Sequence, residues 1–395
     1  MGTAGIEADG ATIGATRSPA SPAIAVHPST QEEFLRNCWY VAAFGSELDA
    51  GDFVARRVLG IPLLLYRTAS GDAVALHDQC AHRLVPLSLG RRVDDSMRCS
   101  YHGMVFGPDG RCTHIPGQSQ IAPGAFVQRY PAVERHGHVW IWPGDPVLAE
   151  PQAIPNIPWA ELDGWEAVRG YMSFAADYRL LTDNLLDLSH ESYVHERTIG
   201  NHAAETIADY PVRVTIGSGS VLRAEREMLD IEPPPWFARV LGNTNCIDRW
   251  QTAIWAAPSI NITDTAVAPA GSGRANAAVG RILHLLTPET SRSTHYFWSV
   301  NRNYAVGDKG MSDAVCKAIC DTFEEDRSIL EQQQRRLDET GLSVPQLALK
   351  VDDAPLRARR LLTARLRGEA AGEVCLEPFM MPGDPAPPGP DDNRH

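Results

Sequence analysis

The stretch 183–195, DNLLDLSHESYVH, places Asp183, Asp187, His190, Glu191 and His195 in an otherwise apolar, helix-compatible run. Buried charge is costly unless it is paired or bound to a metal. His190 and His195 stand five residues apart, which on a regular α-helix puts them about 140° around the axis from each other. The zinc-protease pattern uses a spacing of four, which stacks both imidazoles on one face. Here the two rings reach a common point only if the helix ends, or bulges, between them. Two imidazoles and one distant carboxylate on one side of a metal, with open positions opposite, form the facial triad of non-haem Fe(II) oxygenases. Two surface histidines on an amphipathic helix are the competing explanation of the same letters.

A second constellation lies upstream. Cys80-Ala-His82 is followed by sixteen residues and then by Cys99-Ser-Tyr-His102. Two thiolates suit one iron of a 2Fe–2S centre, and two imidazoles on the other raise its reduction potential, which is the Rieske ligand set. A structural Cys2His2 zinc site is the competitor, but zinc fingers pair Cys with Cys and His with His, whereas each turn here mixes one of each. Cys112-Thr-His114 repeats the letters nearby. It follows the second turn instead of preceding it, and is assigned to strand structure. Cys38, Cys246, Cys316, Cys320 and Cys375 have no histidine at matching spacing and read as small buried hydrophobes.

The third acid of a triad must come from elsewhere. From Ser312 to about Glu339 the pattern is a long helix, and Cys316, Ile319, Phe323, Asp326 and Leu330 fall on one stripe of it. An acid on a buried stripe is a paired charge or a metal ligand. Asp326 is taken as the ligand, with Glu324 as the substitute.

Other elements must position these groups. From Trp39 to about Gly144, short β-branched and aromatic runs (WYVAAF, FVARRVLG, PLLLYRT, AVALHD, HVWIWP) are separated by Gly, Ser, Asp and Pro, with no helix expected between them. That is a compact all-β unit, bounded as 37–148. A Pro-rich connection leads to a second unit, 149–370. It holds the 183–195 helix, strands at VRVTIG, SVLRAER, RWQTAIWAA, INITDTAVA, GRILHLLT and STHYFWSVN, and then the long helix, an α+β arrangement. An Arg-rich helix follows (APLRARRLLTARLRGE), facing solvent or a neighbouring subunit. The ends, 1–36 and 371–395, read as flexible extensions.

With 395 residues, 44% hydrophobic and 22% charged, the chain has an ordinary globular composition. A net charge of −13 makes nucleic acid and anionic membrane poor partners. No apolar run is long enough for a membrane span. With no signal peptide the expected compartment is the cytoplasm, where clustered Cys and His read as metal ligands. GSGSV and GSGRA lack the strand–turn–helix context of a dinucleotide site, so the chain is not expected to oxidise NADH itself.

CAHRLVPLSLG, CSYHG and WIWPGDP resemble the Rieske domain of the Rieske non-haem iron oxygenases, and DNLLDLSHESYVH resembles their mononuclear iron helix. The oxygenase components of the vanillate O-demethylase and dicamba monooxygenase kind are the most similar in type. The resemblance runs from about Trp39 to about Leu362. It departs at Ala81, where relatives commonly have Pro, and at Met104, often an aromatic; tuning of the cluster is expected there.

The resemblance implies a helix-grip catalytic domain behind the Rieske domain. It implies a 2Fe–2S cluster on Cys80, His82, Cys99 and His102, and Fe(II) on His190, His195 and Asp326, where relatives carry an Asp in a similar acidic run. A head-to-tail homotrimer is implied, in which Asp187 bridges His102 of one subunit and His190 of the next, its carboxylate accepting the free N–H of His190. Asp183 and Asn184 are implied as supporting residues around the iron. A separate NAD(P)H-dependent ferredoxin or flavin reductase supplies the electrons. Thr263 and His284 match positions that contact substrate in relatives. Thr263 replaces an Asn there, which argues against dicamba itself.

The implied reaction is O2-dependent hydroxylation of the methyl group of a vanillate-like methoxylated aromatic acid, whose carboxylate is held by His284 or an Arg. The resulting hemiacetal collapses to a phenol and formaldehyde, and the second oxygen atom leaves as water. Hydroxylation of an aryl methyl group is the alternative within the same chemistry. A pure Rieske electron carrier is the alternative from another class.

Overall fold

The computed structural model describes residues 34–50, 53–200, 207–243, 245–340 and 346–373. Residues 1–33 and 374–395, which make up nearly all of the two expected flexible ends, lie outside the described residues. The first unit is built from eleven short strands: β1 (Tyr40–Phe44), β2 (Val54–Val58), β3 (Ile61–Arg67), β4 (Ala73–His77), β5 (Arg91–Val93), β6 (Ser96–Arg98), β7 (Val105–Phe106), β8 (Cys112–His114), β9 (Arg129–Tyr130), β10 (Ala132–Arg135) and β11 (His138–Ile141). They form three antiparallel sheets, ordered β1-β11-β10, β2-β3-β4-β9 and β5-β6-β7-β8. Contrary to expectation, a helix does interrupt them. GSELDA, α1 (Gly45–Ala50), is a six-residue turn whose Glu47 accepts from the Phe44 N–H and pairs with Arg56 at 2.9 Å. Its periodicity is too short to register as a pattern.

The second unit is one seven-stranded antiparallel sheet. Its strands are β12 (Glu166–Phe174), β13 (Val212–Ile216), β14 (Leu222–Ile231), β15 (Ile247–Ala256), β16 (Ile260–Pro269), β17 (Ala278–Thr290) and β18 (Ser293–Arg302), in the order β12-β18-β17-β16-β15-β14-β13. β12 is absent from the expected strands because EAVRGYMSF is half exposed and carries Glu, Arg and Gly. The glycine has a reason: a Cβ on Gly170 would lie 2.1 Å from the Trp298 ring on the paired strand. The helices are α2 (Tyr178–Leu186), α3 (Glu191–Val194), α4 (Pro235–Leu241), α5 (Lys309–Thr340) and α6 (Asp353–Ala370).

The central strands read as continuous apolar runs because both faces of the sheet are covered. Ala253, Trp255, Leu286, Tyr296 and Trp298 face a core shared with Leu181, Leu185, Phe323, Ala358 and Leu362 of the helices. The alternate residues Ile254, Ala256, Leu283, Leu285 and Phe297 pack on Trp39, Val41, Trp140 and Trp142 of the β unit. Hydrogen bonds tie the two units directly: Leu59 N–H to Pro288 O (2.7 Å), Gly60 N–H to Glu289 O (2.8 Å) and the Thr287 hydroxyl to Val41 O (2.6 Å). GSGSV and GSGRA lie in the β13–β14 and β16–β17 connections, away from any strand-to-helix turn. The Arg-rich helix α6 is not wholly solvated: Arg359 pairs with Asp183 at 2.6 Å and Arg365 reaches Gly219 O at 2.7 Å, while Arg360 and Arg367 remain exposed.

Candidate functional site: two metal centres and one cavity

Cys80 and Cys99 each open a tight loop of the same design. The Cys80 N–H donates to Val85 O (2.8 Å) and the Cys99 N–H to Met104 O (2.8 Å). The fifth residue of each loop has positive φ, Leu84 at 60° and Gly103 at 73°. The loops bring the two thiols into contact, both cysteines being buried, and set His82 and His102 at the exposed rim with their Nδ1 atoms 3.2 Å apart. Burial pushes the Cys80 thiol up. A thiol in such surroundings becomes a thiolate when a metal binds it. Two buried sulfurs on one side and two facing imidazole nitrogens on the other fit a 2Fe–2S cluster with mixed ligation.

Cys112 and His114 form β8; His114 is exposed, and the Cys112 thiol points to the His114 carbonyl. Replacing His82 by Cys should therefore shift the EPR spectrum of the reduced cluster, while His114→Ala should leave it unchanged. A spectrum that responds to His114→Ala would overturn the assignment.

The helix carrying the histidines ends between them, as their spacing requires. α2 ends at Asp187 (φ −107°, ψ 84°), a 3-10 turn carries Leu188–His190, and the single turn of α3 ends at His195 (φ −112°, ψ 27°). With the last helical residue at Val194, inside the interval, the imidazole centroids lie 5.2 Å apart at an interplanar angle of 74°. Asp326 arrives from α5, buried on the expected stripe along with Phe323 and Leu330, with Cys316 and Ile319 partly buried beside them. Its Oδ1 lies 3.5 Å from His190 Nε2 and 3.3 Å from His195 Nε2, and one ligand atom from each of the three residues fits within 4.8 Å. Glu324, the substitute, points to the surface and pairs with Arg327.

Burial alone would lower both imidazoles; the hydrogen bonds and charge of Asp326 outweigh it, raising His190 to about 9 and His195 in the same direction. Burial would also raise Asp326, yet the two histidines hold it well below the usual carboxylate range. A buried carboxylate that favours positive charge on two converging imidazoles marks a place where a cation would be held. Two imidazoles and one carboxylate, with a cavity on the open side, fit a non-haem Fe(II).

Around this trio the structure corrects two expectations, for Asp187 and for Asp183, and supplies contacts that sequence reasoning missed. The His190 Nδ1–H is taken by the backbone carbonyl of Asp187 (2.6 Å), not by its carboxylate, which instead accepts from the N–H (3.0 Å) and hydroxyl (2.6 Å) of Ser189. A residue three positions before His190 at a helix break presents its carbonyl to the ring, and the side chain caps the next turn. Asn184 donates to Asp326 Oδ1 at 3.2 Å, whereas Asp183 reaches out to Arg359. His195 Nδ1 meets Glu325 Oε2 at 2.7 Å. Such a carboxylate fixes the tautomer of a metal-bound imidazole. Its signal was the acidic pair Glu325-Asp326, whose second member alone lies on the stripe.

The trio opens into a cavity of about 980 Å³, mouth included, between the sheet and α5. Leu188, Phe237, Ile282, Val300, Ile319 and Phe323 make it mostly apolar, and Thr263 and His284 face it from adjacent strands. His284 Nε2 is 3.1 Å from Thr263 Oγ1, and His284 Nδ1 is 2.5 Å from the Tyr296 hydroxyl. Burial lowers His284 to about 3 and pushes Tyr296 well above its ordinary value, so both groups are neutral. His284 therefore offers a hydrogen bond and no charge. Arg249 also lines the cavity, but its charge is matched by buried Glu191 at 2.7 Å.

A Rieske-type β unit, a seven-stranded sheet gripping a long helix, and a two-histidine, one-carboxylate centre define an iron-dependent oxygenase. Comparison with known proteins agrees along the chain. Residues 38–131 match the Rieske 2Fe–2S domain, and residues 174–368 match the vanillate O-demethylase oxygenase C-terminal domain. The iron-sulfur subunit of the toluene-4-sulfonate monooxygenase system of Comamonas testosteroni is 37% identical over 345 residues, 86% of this chain and 99% of that one. A vanillate O-demethylase oxygenase subunit from Pseudomonas sp. is 37% identical over 80% of this chain and 97% of its own. Dicamba monooxygenase bound to 3,6-dichlorosalicylic acid superposes with a TM-score of 0.81 at 34% identity, covering 86% of this chain and 99% of that chain. The chain belongs to the Rieske non-haem iron oxygenases and is an oxygenase component of a monooxygenase system. Its cofactors are a Rieske 2Fe–2S cluster and a mononuclear non-haem iron. Among the described residues no helix is long and apolar enough to cross a membrane.

Proposed function

We propose that the chain oxidatively demethylates a vanillate-like methoxylated aromatic acid, releasing a phenol and formaldehyde. Cys80, His82, Cys99 and His102 hold the cluster; His190, His195 and Asp326 hold the iron, which when bound supplies O2 activation. Asn184 orients Asp326, and Asp183 anchors α2 to α6 through Arg359. Electrons come from a separate NAD(P)H-dependent reductase in the cytoplasm and cross between subunits of a homotrimer at Asp187.

One observation carries the choice of substrate, the chain of neutral donors ending in the cavity. We assign the Tyr296 O–H as the donor to His284 Nδ1, 2.5 Å away, which places the ring proton on Nε2. That N–H donates to Thr263 Oγ1, and the threonine's own hydrogen is left for a ligand. Neutral donors in an apolar wall suit an oxygen acceptor carried on an aromatic ring, the nearby Asp326 carboxylate being engaged by its two histidines. The apolar walls exclude water from the methyl group while Thr263 and His284 orient the ring.

The toluene-4-sulfonate relative supports a second reading, hydroxylation of an aryl methyl group, since a sulfonate accepts the same hydrogen bonds. The two readings separate in one assay. A panel of methoxy- and methylbenzoates and toluenesulfonate, with a surrogate reductase, should yield formaldehyde from the methoxybenzoates in step with O2 consumed. Benzylic alcohols without formaldehyde, from the methyl-bearing compounds alone, would replace the first reading by the second.

A further inference from the structure

The cavity wall holds two polar atoms that the donor chain does not use. Gln251 on β15 and Thr265 on β16 are directly opposed cross-strand partners. Both line the cavity. Gln251 Nε2 donates to Glu191 Oε1 at 2.7 Å, and the other oxygen of that carboxylate takes Arg249 at 2.7 Å. A carboxylate ion-paired in this way only accepts, so the amide must turn its NH2 toward Glu191 and its oxygen away. That oxygen, Gln251 Oε1, is buried with no hydrogen-bond partner, and so is Thr265 Oγ1. Buried polar atoms without partners are uncommon and call for an explanation. The next position in the same row, opposite Thr265 on β17, is Gly280, so the wall there carries no side chain to fill the space.

We propose that Gln251 and Thr265 form a second anchoring point, which accepts a hydrogen bond from a hydroxyl or amino group on the substrate ring. The inference rests on the aromatic-acid reading above and narrows it to rings that carry a hydrogen-bond donor as well as the acid. Thr263 and Thr265 are two residues apart on one face of β16, about 6–7 Å along the strand. One ring with substituents at opposite ends spans a distance of that order. The acid group meets the donor chain at Thr263, the ring donor meets Gln251 and Thr265, and the methyl-bearing substituent is left for the side of the cavity formed by His190, His195 and Asp326. The two ends differ in sense: the first donates, the second accepts. A ring bound the wrong way round would face acid against acceptor.

Calorimetric titration of the holoenzyme without O2 or reductase tests this apart from turnover. The probes are vanillate, its analogue lacking the ring hydroxyl, and the analogue with that hydroxyl methylated. Vanillate should bind roughly 10- to 100-fold more tightly than either analogue, the size expected when a buried acceptor is left unpaired. In Thr265→Val, which keeps the side-chain shape, and in Gln251→Met the ratio should fall toward one. Equal binding of the three probes to the wild-type protein, or a ratio that survives in both variants, overturns the second anchor and leaves the aromatic-acid reading standing. If none of the three binds, the aromatic-acid reading fails and takes the second anchor with it. Should Gln251→Met fail to fold, because Glu191 loses a donor, Thr265→Val decides alone.

Discussion

Asp326→Ala should strip the mononuclear iron while leaving the brown cluster in place, so that iron falls from about three to about two atoms per chain. Turnover should drop by at least about 100-fold, the upper end of what changes outside the ligand shell cost. The fold should survive, because neither histidine is left as a stranded charge. Once the carboxylate is gone, burial is the dominant influence on both imidazoles, and it favours their neutral form. The residual penalty is the unpaired amide of Asn184, which loses its acceptor at 3.2 Å, worth about 1–3 kcal/mol. Thermal melting and metal analysis of the same preparation separate the two effects. Glu324→Ala is the control, since its carboxylate lies at the surface with Arg327. Full activity in Asp326→Ala would refute the assignment of this acid.

Asp187→Asn should leave both metal centres occupied and still slow turnover sharply. The reason lies in which atom of Asp187 does what. Its backbone carbonyl orients His190, and that bond does not depend on the side chain. Its Oδ1 holds Ser189, an acceptor role that an asparagine oxygen retains. Only the negative charge is removed. Reduction of the cluster by a reductase should persist, while its reoxidation on addition of substrate and O2 slows about 10- to 100-fold or more, and product formation with it. Stopped-flow absorbance of the cluster reads this directly. Normal reoxidation would reduce the carboxylate to a helix cap, and loss of iron would make it a structural support. The observed geometry sharpens the test, because a carboxylate bonded to His190 itself would have confounded electron transfer with iron binding.

How much of this was legible beforehand depends on the range of each interaction. The β character of the first unit, six of the seven catalytic strands and the long helix follow from local periodicity, which needs no knowledge of the partner element. The Cys-His turns were readable because their chemistry is confined to a few consecutive residues. Asp326 was found because a single acid on an apolar helical stripe violates the pattern around it, whereas His284 came from its match to a substrate-contacting position of relatives.

What the letters could not specify is which atom meets which. Whether Asp187 uses its carbonyl or its carboxylate depends on where α2 breaks, a backbone matter decided by packing against α5 and the sheet. Glu325 gained its contact with His195 only when α5 docked 130 residues away in sequence. Arg359 on α6 and Asp183 on α2 likewise pair across the fold. The sequence by itself determined the two metal-binding chemistries and the kinds of element that carry them, because those depend on residue type and short spacing. The tertiary structure alone decided the neutral state of His284, its contacts with Tyr296 and Thr263, and the unpartnered oxygens of Gln251 and Thr265. These are properties of burial and of contacts between strands and helices remote in the chain, which no local pattern encodes.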